Sequence, residues 1–458
     1  MGAASDIAMP DTDTDANPPP PQAPTLGQTW WFWLKVGCIS FGGPAGQIAL
    51  LHQELVERRR WISERRFLHA LNYCMVLPGP EAQQLATYLG WLLHRSWGGI
   101  VAGVLFVLPS LLLLIALSWV YLVFGSTPLV AGLFAGIKPA VTAIVLQAAW
   151  RMGTRALRNP VLWALAALSW FCLYLLQAPF PAIVLGAGLV GLVGGQFAPH
   201  YFQTGATHKG AAATHGPAVI DDDTAPPAHA RFSQRGLLTV LAWGLLLWAL
   251  PMGLLLLVWG WDHTLTQMAW FFTKAALLTF GGAYAVLPYV YQGAVEHFHW
   301  LSAAQMMDGL ALGETTPGPL IMVVAFVGYV GGHTQALLGD GARLYGGALA
   351  ATVATWFTFL PSFVFILGGG PFIESTRKNL RFTAPLAAIT AAVVGVIASL
   401  SLFFAQHLLW PQGMEGQFEV RAALIAAAAA VALIRFQRPV VQVIAACALV
   451  GWGLSVLA

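Results

Sequence analysis

The chain alternates long apolar runs with short polar breaks. Thirteen apolar runs can be marked, at roughly 30–56, 67–93, 98–124, 128–150, 160–178, 180–197, 236–260, 265–295, 304–333, 344–370, 382–405, 421–434 and 439–458. Most are near the ~20 residues that a helix needs to cross a bilayer. The alternating ten-residue strands of an outer-membrane barrel are not the pattern here. The pattern predicts an all-α polytopic integral membrane protein. Composition agrees, with 58% hydrophobic and 9% charged residues, against roughly 25% charged in a soluble domain.

Two polar stretches punctuate the runs. Residues 1–28 are Pro-rich and acidic, without Lys or Arg. They lack the basic start and apolar core of a secretory signal and are expected to form a disordered tail. Residues 198–235 carry three consecutive Asp with scattered His and Pro, and read as a solvated linker. Within it His208, His215 and His229 lack metal-ligand spacing. This divides the chain into a tail (1–28), a first repeat (29–197), the linker (198–235), a linking transmembrane segment (236–262) and a second repeat (263–458).

The repeats are visible without a gap. From Trp31–Pro80 to Trp270–Pro319 the offset is 239 throughout, and 15 of the 50 positions are identical. The matches are Gly, Pro, Lys and aromatics more than generic Leu and Val. They include Lys35/Lys274, Phe41-Gly42-Gly43/Phe280-Gly281-Gly282 and Pro78-Gly79-Pro80/Pro317-Gly318-Pro319. Duplicated apolar segments interrupted by Gly and Pro point to a transporter's binding site. Six runs precede the linker, one follows it, and six more complete the chain. An odd single span between equal halves makes them inverted repeats.

Charge tests the topology. Of the 22 Lys and Arg, 19 lie between runs. With thirteen simple spans and the N-terminus inside, 12 fall on inner loops and 7 on outer ones. If the first two runs of each repeat are re-entrant, turning at Phe-Gly-Gly and Pro-Gly-Pro, the counts become 17 and 2. The re-entrant reading fits the positive-inside rule better. A pair of broken full spans, with the arginines on an interfacial helix, is the alternative. Either places the N-terminus in the cytoplasm and the C-terminus on the periplasmic side.

The breaks carry the candidate chemistry. Phe41-Gly42-Gly43-Pro44 and Pro78-Gly79-Pro80 interrupt helices, because Gly frees the backbone and Pro lacks a donor. The exposed helix N-termini bind anions through backbone N–H groups. Gln83 and Gln84 follow the first Pro-Gly-Pro, and Thr315 and Thr316 precede the second; all can donate to an oxyanion. Lys35 and Lys274 would add charge, unless they snorkel to the interface. Lys138 has no counterpart in the second half. Glu81 and Glu314 are candidates for proton coupling, or simply helix-end carboxylates. Cys38, Cys74, Cys172 and Cys447 form no CxxC pair and read as small buried hydrophobes. There is no phosphate-binding GxxxxGK[ST] loop, so a gradient must supply the energy.

These residues together resemble a known family. Phe-Gly-Gly-Pro, Trp61-Ile62-Ser63, "LPGPEAQQLATYLGW", "FGGAYAVLPYV" and "GETTPGPLIMVVAFVGY" look like the two halves of a long-chain chromate ion transporter. The resemblance runs from about Gln28 to the C-terminus, excluding the linker. It departs at Ala325, where the family often has glutamine. It implies a secondary transporter of the bacterial inner membrane that exports chromate and confers chromate resistance, with sulfate as the related oxyanion. It implies no cofactor, resident metal, catalytic residue or nucleic-acid partner; the bilayer is its medium. A membrane reductase would need a haem, flavin or thiol pair, which the sequence does not offer. An anion channel fits the inverted duplication less well than alternating access does.

Overall fold

The computed structural model describes residues 21–41, 43–202, 217–222, 224, 227–375, 383–413 and 415–457. Its elements are helices: α1 Leu26–Ile39, α2 Gly43–His52, α3 Glu64–Val76, α4 Glu81–Phe124, α5 Pro128–Ala156, α6 Pro160–Tyr174, α7 Phe180–Phe197, α8 Gln234–Trp259, α9 Thr264–Leu278, α10 Ala283–Tyr291, α11 Ala303–Thr315, α12 Val323–Thr334, α13 Arg343–Ser375, α14 Thr383–Leu409, α15 Val420–Ile434 and α16 Val440–Leu457. Local chemistry sets many of their starts. Thr25 and Ser302 close capping boxes with Gln28 and Gln305, Ser63 and Asn159 accept from the N–H three residues on, and Pro128 and Pro160 stand in first turns.

Seven of these helices, among the described residues, are long and apolar enough to cross a membrane. Two further apolar helices, α6 and α15, have 15 residues each, or about 22 Å. The first run of each repeat is not a span. It is a hairpin, as four ring contacts show. Phe32, midway along α1, lies 5.3 Å from Trp61, which follows α2 and its π-helical extension Gln53–Arg58; Arg59 stacks over both rings. Phe271, in the first half of α9, lies 5.5 Å from Trp300, which follows α10 and the π-helical turn Gln292–His297. Each segment therefore enters, breaks at Phe-Gly-Gly, and returns to the face it left.

The next pair of segments does the same. α4 is two helices joined at His94 and Arg95, whose backbone angles are non-helical, with φ +57 at Arg95. A Cβ on Gly90 would strike the Gly98 carbonyl at 2.5 Å, so the two arms lie side by side and run in opposite directions. The first arm returns towards the start of α3: Tyr88 and Arg66 both bind the Glu374 carboxylate, at 2.6 and 2.7 Å. This pair, α3 with Glu81–Leu93, is the second re-entrant hairpin. Then α8, at 26 residues or about 39 Å, carries the chain to the other face before the second repeat begins. The halves are inverted repeats, and the hairpin reading replaces the broken full spans.

The symmetry reaches the backbone. Arg60 and His299, 239 positions apart, share φ of +50 and +53. Trp61 N–H donates to Leu55 O, and Trp300 N–H to Ala294 O, both at 2.8 Å. The linker departs from expectation. Residues 217–222 do not sit free in solvent but pack on the first repeat. Ile220 pairs with Ile62 as an isolated bridge and is buried, and Asp222 accepts from Ser63 Oγ at 2.7 Å. Beyond them His229 bonds to the Trp91 carbonyl at 2.9 Å. A few apolar residues suffice because the loop offers a ready-made backbone edge. His208 and His215 lie outside the described residues.

The arrangement predicts sidedness. In a background lacking Cys38, which is exposed rather than buried as expected, cysteines at Arg65 and Arg231 should react with an impermeant thiol reagent from one face. A cysteine at His299 should react only from the other. Labelling of all three from one face would rule out the inversion.

Candidate functional site

The breaks of the two halves meet each other. Gly79 N–H, in the first Pro-Gly-Pro, donates to the carbonyl of Thr279, the residue before the second Phe-Gly-Gly, at 2.7 Å. Gly318 N–H, in the second Pro-Gly-Pro, donates to the carbonyl of Ser40, before the first Phe-Gly-Gly, at 2.9 Å. Ser40 and Thr279 are the C-caps of α1 and α9, where a helix end leaves carbonyls without intrahelical partners. Gly79 and Gly318 have φ of +126 and +108, which other residues rarely adopt.

A third motif completes each crossing. A Cβ on Gly318 would stand 2.6 Å from Ser110 Cβ, and one on Gly79 would stand 2.5 Å from Ser362 Oγ. Ser110 and Ser362 belong to a duplicated Leu-Pro-Ser, at Leu108-Pro109-Ser110 and Leu360-Pro361-Ser362, within long helices. Sequence reading missed it because its offset is 252, so a gapless comparison cannot align it. A search for repeated Leu-Pro-Ser alone would have found it.

The crossings differ in what they hold. At the first, Gln47 Nε2 donates to the carbonyls of Gly318 and Ser40. Its Oε1, and the hydroxyls of Ser40 and Ser110, are buried without a partner. Gln83 and Gln84 also leave Oε1 unpaired; Gln84 donates to Pro78 O at 2.7 Å, and Gln83 to Thr87 Oγ1 at 3.0 Å. Gln47 and Gln84 are held in this orientation, since they donate to carbonyls. Gln83 is held as well, because the Thr87 hydroxyl that accepts from it donates its own hydrogen to Gln83 O at 2.9 Å. Unpaired buried polar atoms each cost about 1–3 kcal/mol, so a cluster of them marks a place for a polar ligand.

At the second crossing stands a carboxylate. Glu81 opens α4, and its Oε1 would lie 3.7 Å from a Cβ at Gly282, the N-cap of α10. It thus sits where two helix N-termini converge, the kind of spot that favours negative charge. Glu314 is elsewhere, accepting a hydrogen bond from Tyr284, the second residue after the second Phe-Gly-Gly. Lys138 finds a partner across the halves: its Nζ lies 3.6 Å from Asp308 Oδ2, which also accepts from Tyr121 at 2.8 Å.

Other expected residues are not brought in. Lys274 folds back over Trp270, 5.7 Å from the ring centroid, which turns it away from the break and towards the start of α9. Lys35 is exposed, and among the described residues it forms no ion pair or hydrogen bond. The hydroxyls of Thr315 and Thr316 donate to carbonyls of their own helix, Ala311 and Leu312 for one and Gly313 for the other. These geometries match interfacial lysines and helix-capping threonines. Pro44, Pro80, Pro317 and Pro319 shape the breaks, Gly281 and Gly282 take φ of +82 and +97, and Phe280 packs against the core. Gly43 takes φ +70. Gly42 lies outside the described residues.

Two inverted halves whose re-entrant breaks cross one another are the architecture of a membrane transporter. The comparisons give the family. The chromate transporter profile matches residues 27–192 and 266–452, one stretch in each half, and the chain belongs to that family. It is 35% identical over 400 residues to the chromate transport protein of Pseudomonas aeruginosa, covering 86% of this chain and 84% of that one. It is 28% identical over 429 residues to the chromate transport protein of Cupriavidus metallidurans, covering 93% and 92%. A probable chromate transport protein of Synechococcus elongatus is 28% identical over 377 residues, covering 82% and 83%. No solved structure matches.

The crossing geometry can be tested by stability alone. Gly318→Ala should cost about 2–4 kcal/mol, from the positive φ and the overlap with Ser110. Ser110→Gly in the same chain should recover part of the loss. Gly43→Ala, with φ +70 but nothing within 4 Å of the new Cβ, should cost about 1–2 kcal/mol. Thermal unfolding in detergent measures all three; equal losses at Gly43 and Gly318 would refute the packed crossing.

Proposed function

We propose that this protein is a secondary transporter that exports chromate across the bacterial inner membrane, and so confers chromate resistance. The observation that carries the reading is the crossing of the two sets of breaks, with the hydroxyls of Ser40 and Ser110 buried without a partner and helix N-termini opening at the breaks. Such a place suits a small polar anion better than a cation or an apolar solute. The named relatives, two chromate transport proteins among them, supply the substrate. Ser40, Ser110 and the backbone N–H groups that open α4 and α10 are the proposed ligands. Sulfate has the same charge and shape, so a sulfate carrier is the second reading.

Glu81 shapes the energetics. A carboxylate resting at the junction of two helix N-termini competes with an incoming dianion. Protonating it removes the competitor, so proton and anion bind together rather than in turn. That is the sign of cotransport, not antiport. Export therefore draws on the inside-negative potential, worth about 2.3 kcal/mol per charge per 100 mV. Glu314, held by Tyr284, is the remaining candidate for proton exchange.

Energised everted vesicles test this directly. They should accumulate labelled chromate, lose that accumulation when the potential is collapsed, and keep most of it when only the pH gradient is collapsed. Uptake of sulfate without chromate would favour the second reading, and uptake of neither would reject both. The chromate KM should rise with pH in the parent and stay flat in Glu81→Gln. A parallel rise in the variant would remove Glu81 from the site.

A further inference from the structure

A cavity of about 740 Å³ lies beside the first break. Phe41, of Phe-Gly-Gly, forms part of its wall. Gln147, Arg151, Thr154 and Arg155 enter from one face of α5, and Arg438 from the turn between α15 and α16. Three guanidiniums therefore line one cavity, and no Asp or Glu lines it. Among the described residues none of the three makes an ion pair. The cavity thus runs from the ends of α5 and α15 towards the first break. It lies at the end of α5 that precedes Asn159, which bonds to Tyr201 at the start of the linker. This is the linker face, the cytoplasmic one by the count of basic residues.

The positive-inside rule accounts for arginines on this face. It does not account for three of them, unpaired, around a cavity that ends on the transport motif. Arg forms paired hydrogen bonds to oxyanions and is more weakly hydrated than Lys, so it can hold a dianion without trapping it. A concave site of one charge sign also raises the local concentration of its counter-ion.

We infer that this cavity is a loading vestibule for tetrahedral divalent oxyanions, with Arg151, Arg155 and Arg438 as its recruiting charges and Phe41 at its inner end. The inference rests on the transport reading for its purpose but not for its chemistry. It supplies the fixed positive charge that Lys35 and Lys274 do not bring to the breaks.

The test uses a readout that needs no transport. Thr154→Cys, in a background without Cys38, places a thiol on the cavity wall. In everted vesicles that wall faces the bath. An anionic methanethiosulfonate should outpace its cationic analogue there, and neutralising the three arginines to Gln should lower that rate ratio about tenfold. Sulfate or chromate should protect the thiol in the arginine-bearing protein only. In transport, the triple-Gln variant should raise the chromate KM about tenfold, with a smaller fall in Vmax. A rate ratio unchanged by the triple substitution would overturn the vestibule. If the parent carries no chromate yet the ratio falls and sulfate protects, the vestibule stands and the chromate reading falls.

Discussion

Each half of this protein ends a helix on a carbonyl that takes a backbone N–H from the other half. Ser40 O and Thr279 O are left over where α1 and α9 stop, and Gly318 N–H and Gly79 N–H are left over where Pro interrupts the next segment. Inside a bilayer no water can take these groups, and each unpaired one costs several kcal/mol. The first half alone would leave Gly79 N–H unpaired and Ser40 O with only the Gln47 amide, and the second alone would lose the partners of Gly318 N–H and Thr279 O. The exchange removes both costs at once, and it fixes how deep each hairpin dips and which faces meet.

The same constraint explains the residues around it. Only glycine takes φ above +100 without strain, and only glycine leaves room for Ser110 and Ser362 against the turn. Close approach recurs where helices must pack tightly. A Cβ on Gly136 would strike the Cys447 carbonyl, and one on Gly395 the Ala166 carbonyl. In lipid, small residues of this sort are what let helices associate, because apolar burial gives no drive there. The fold is therefore rigid around the crossings and polar within them, which is the combination an anion site needs.

Much of this was legible in the sequence. The gapless 239-residue repeat located both sets of breaks, and the distribution of arginines favoured hairpins over spans. What escaped detection shares one physical cause. The Leu-Pro-Ser pair and the Lys138–Asp308 contact join segments far apart in sequence, and neither keeps the repeat's offset. Lysine direction escaped as well. A lysine six residues from a break can reach either end of its helix, and only the packing of Trp270 decides for Lys274. The linker was misjudged from composition, since Ile220 needs only one partner edge to be held.

The equivalent positions that differ between halves are as informative as those that match. Glu81 answers to Leu320, Glu314 to Met75, Asp308 to His69, Tyr284 to Ala45 and Gln47 to Val286. The Phe-Gly-Gly and Pro-Gly-Pro glycines and prolines and the Ser63/Ser302 caps are shared, while these five pairs are not. If the halves were identical, exchanging their conformations would give a mirror state of equal energy facing the other side. Unequal side chains split those two states. The Lys138–Asp308 pair and the Tyr284–Glu314 bond exist in the state described here, and their positional counterparts lack the chemistry to replace them. In the proposed transport cycle the shared residues would build the path and the unshared ones would favour one facing over the other.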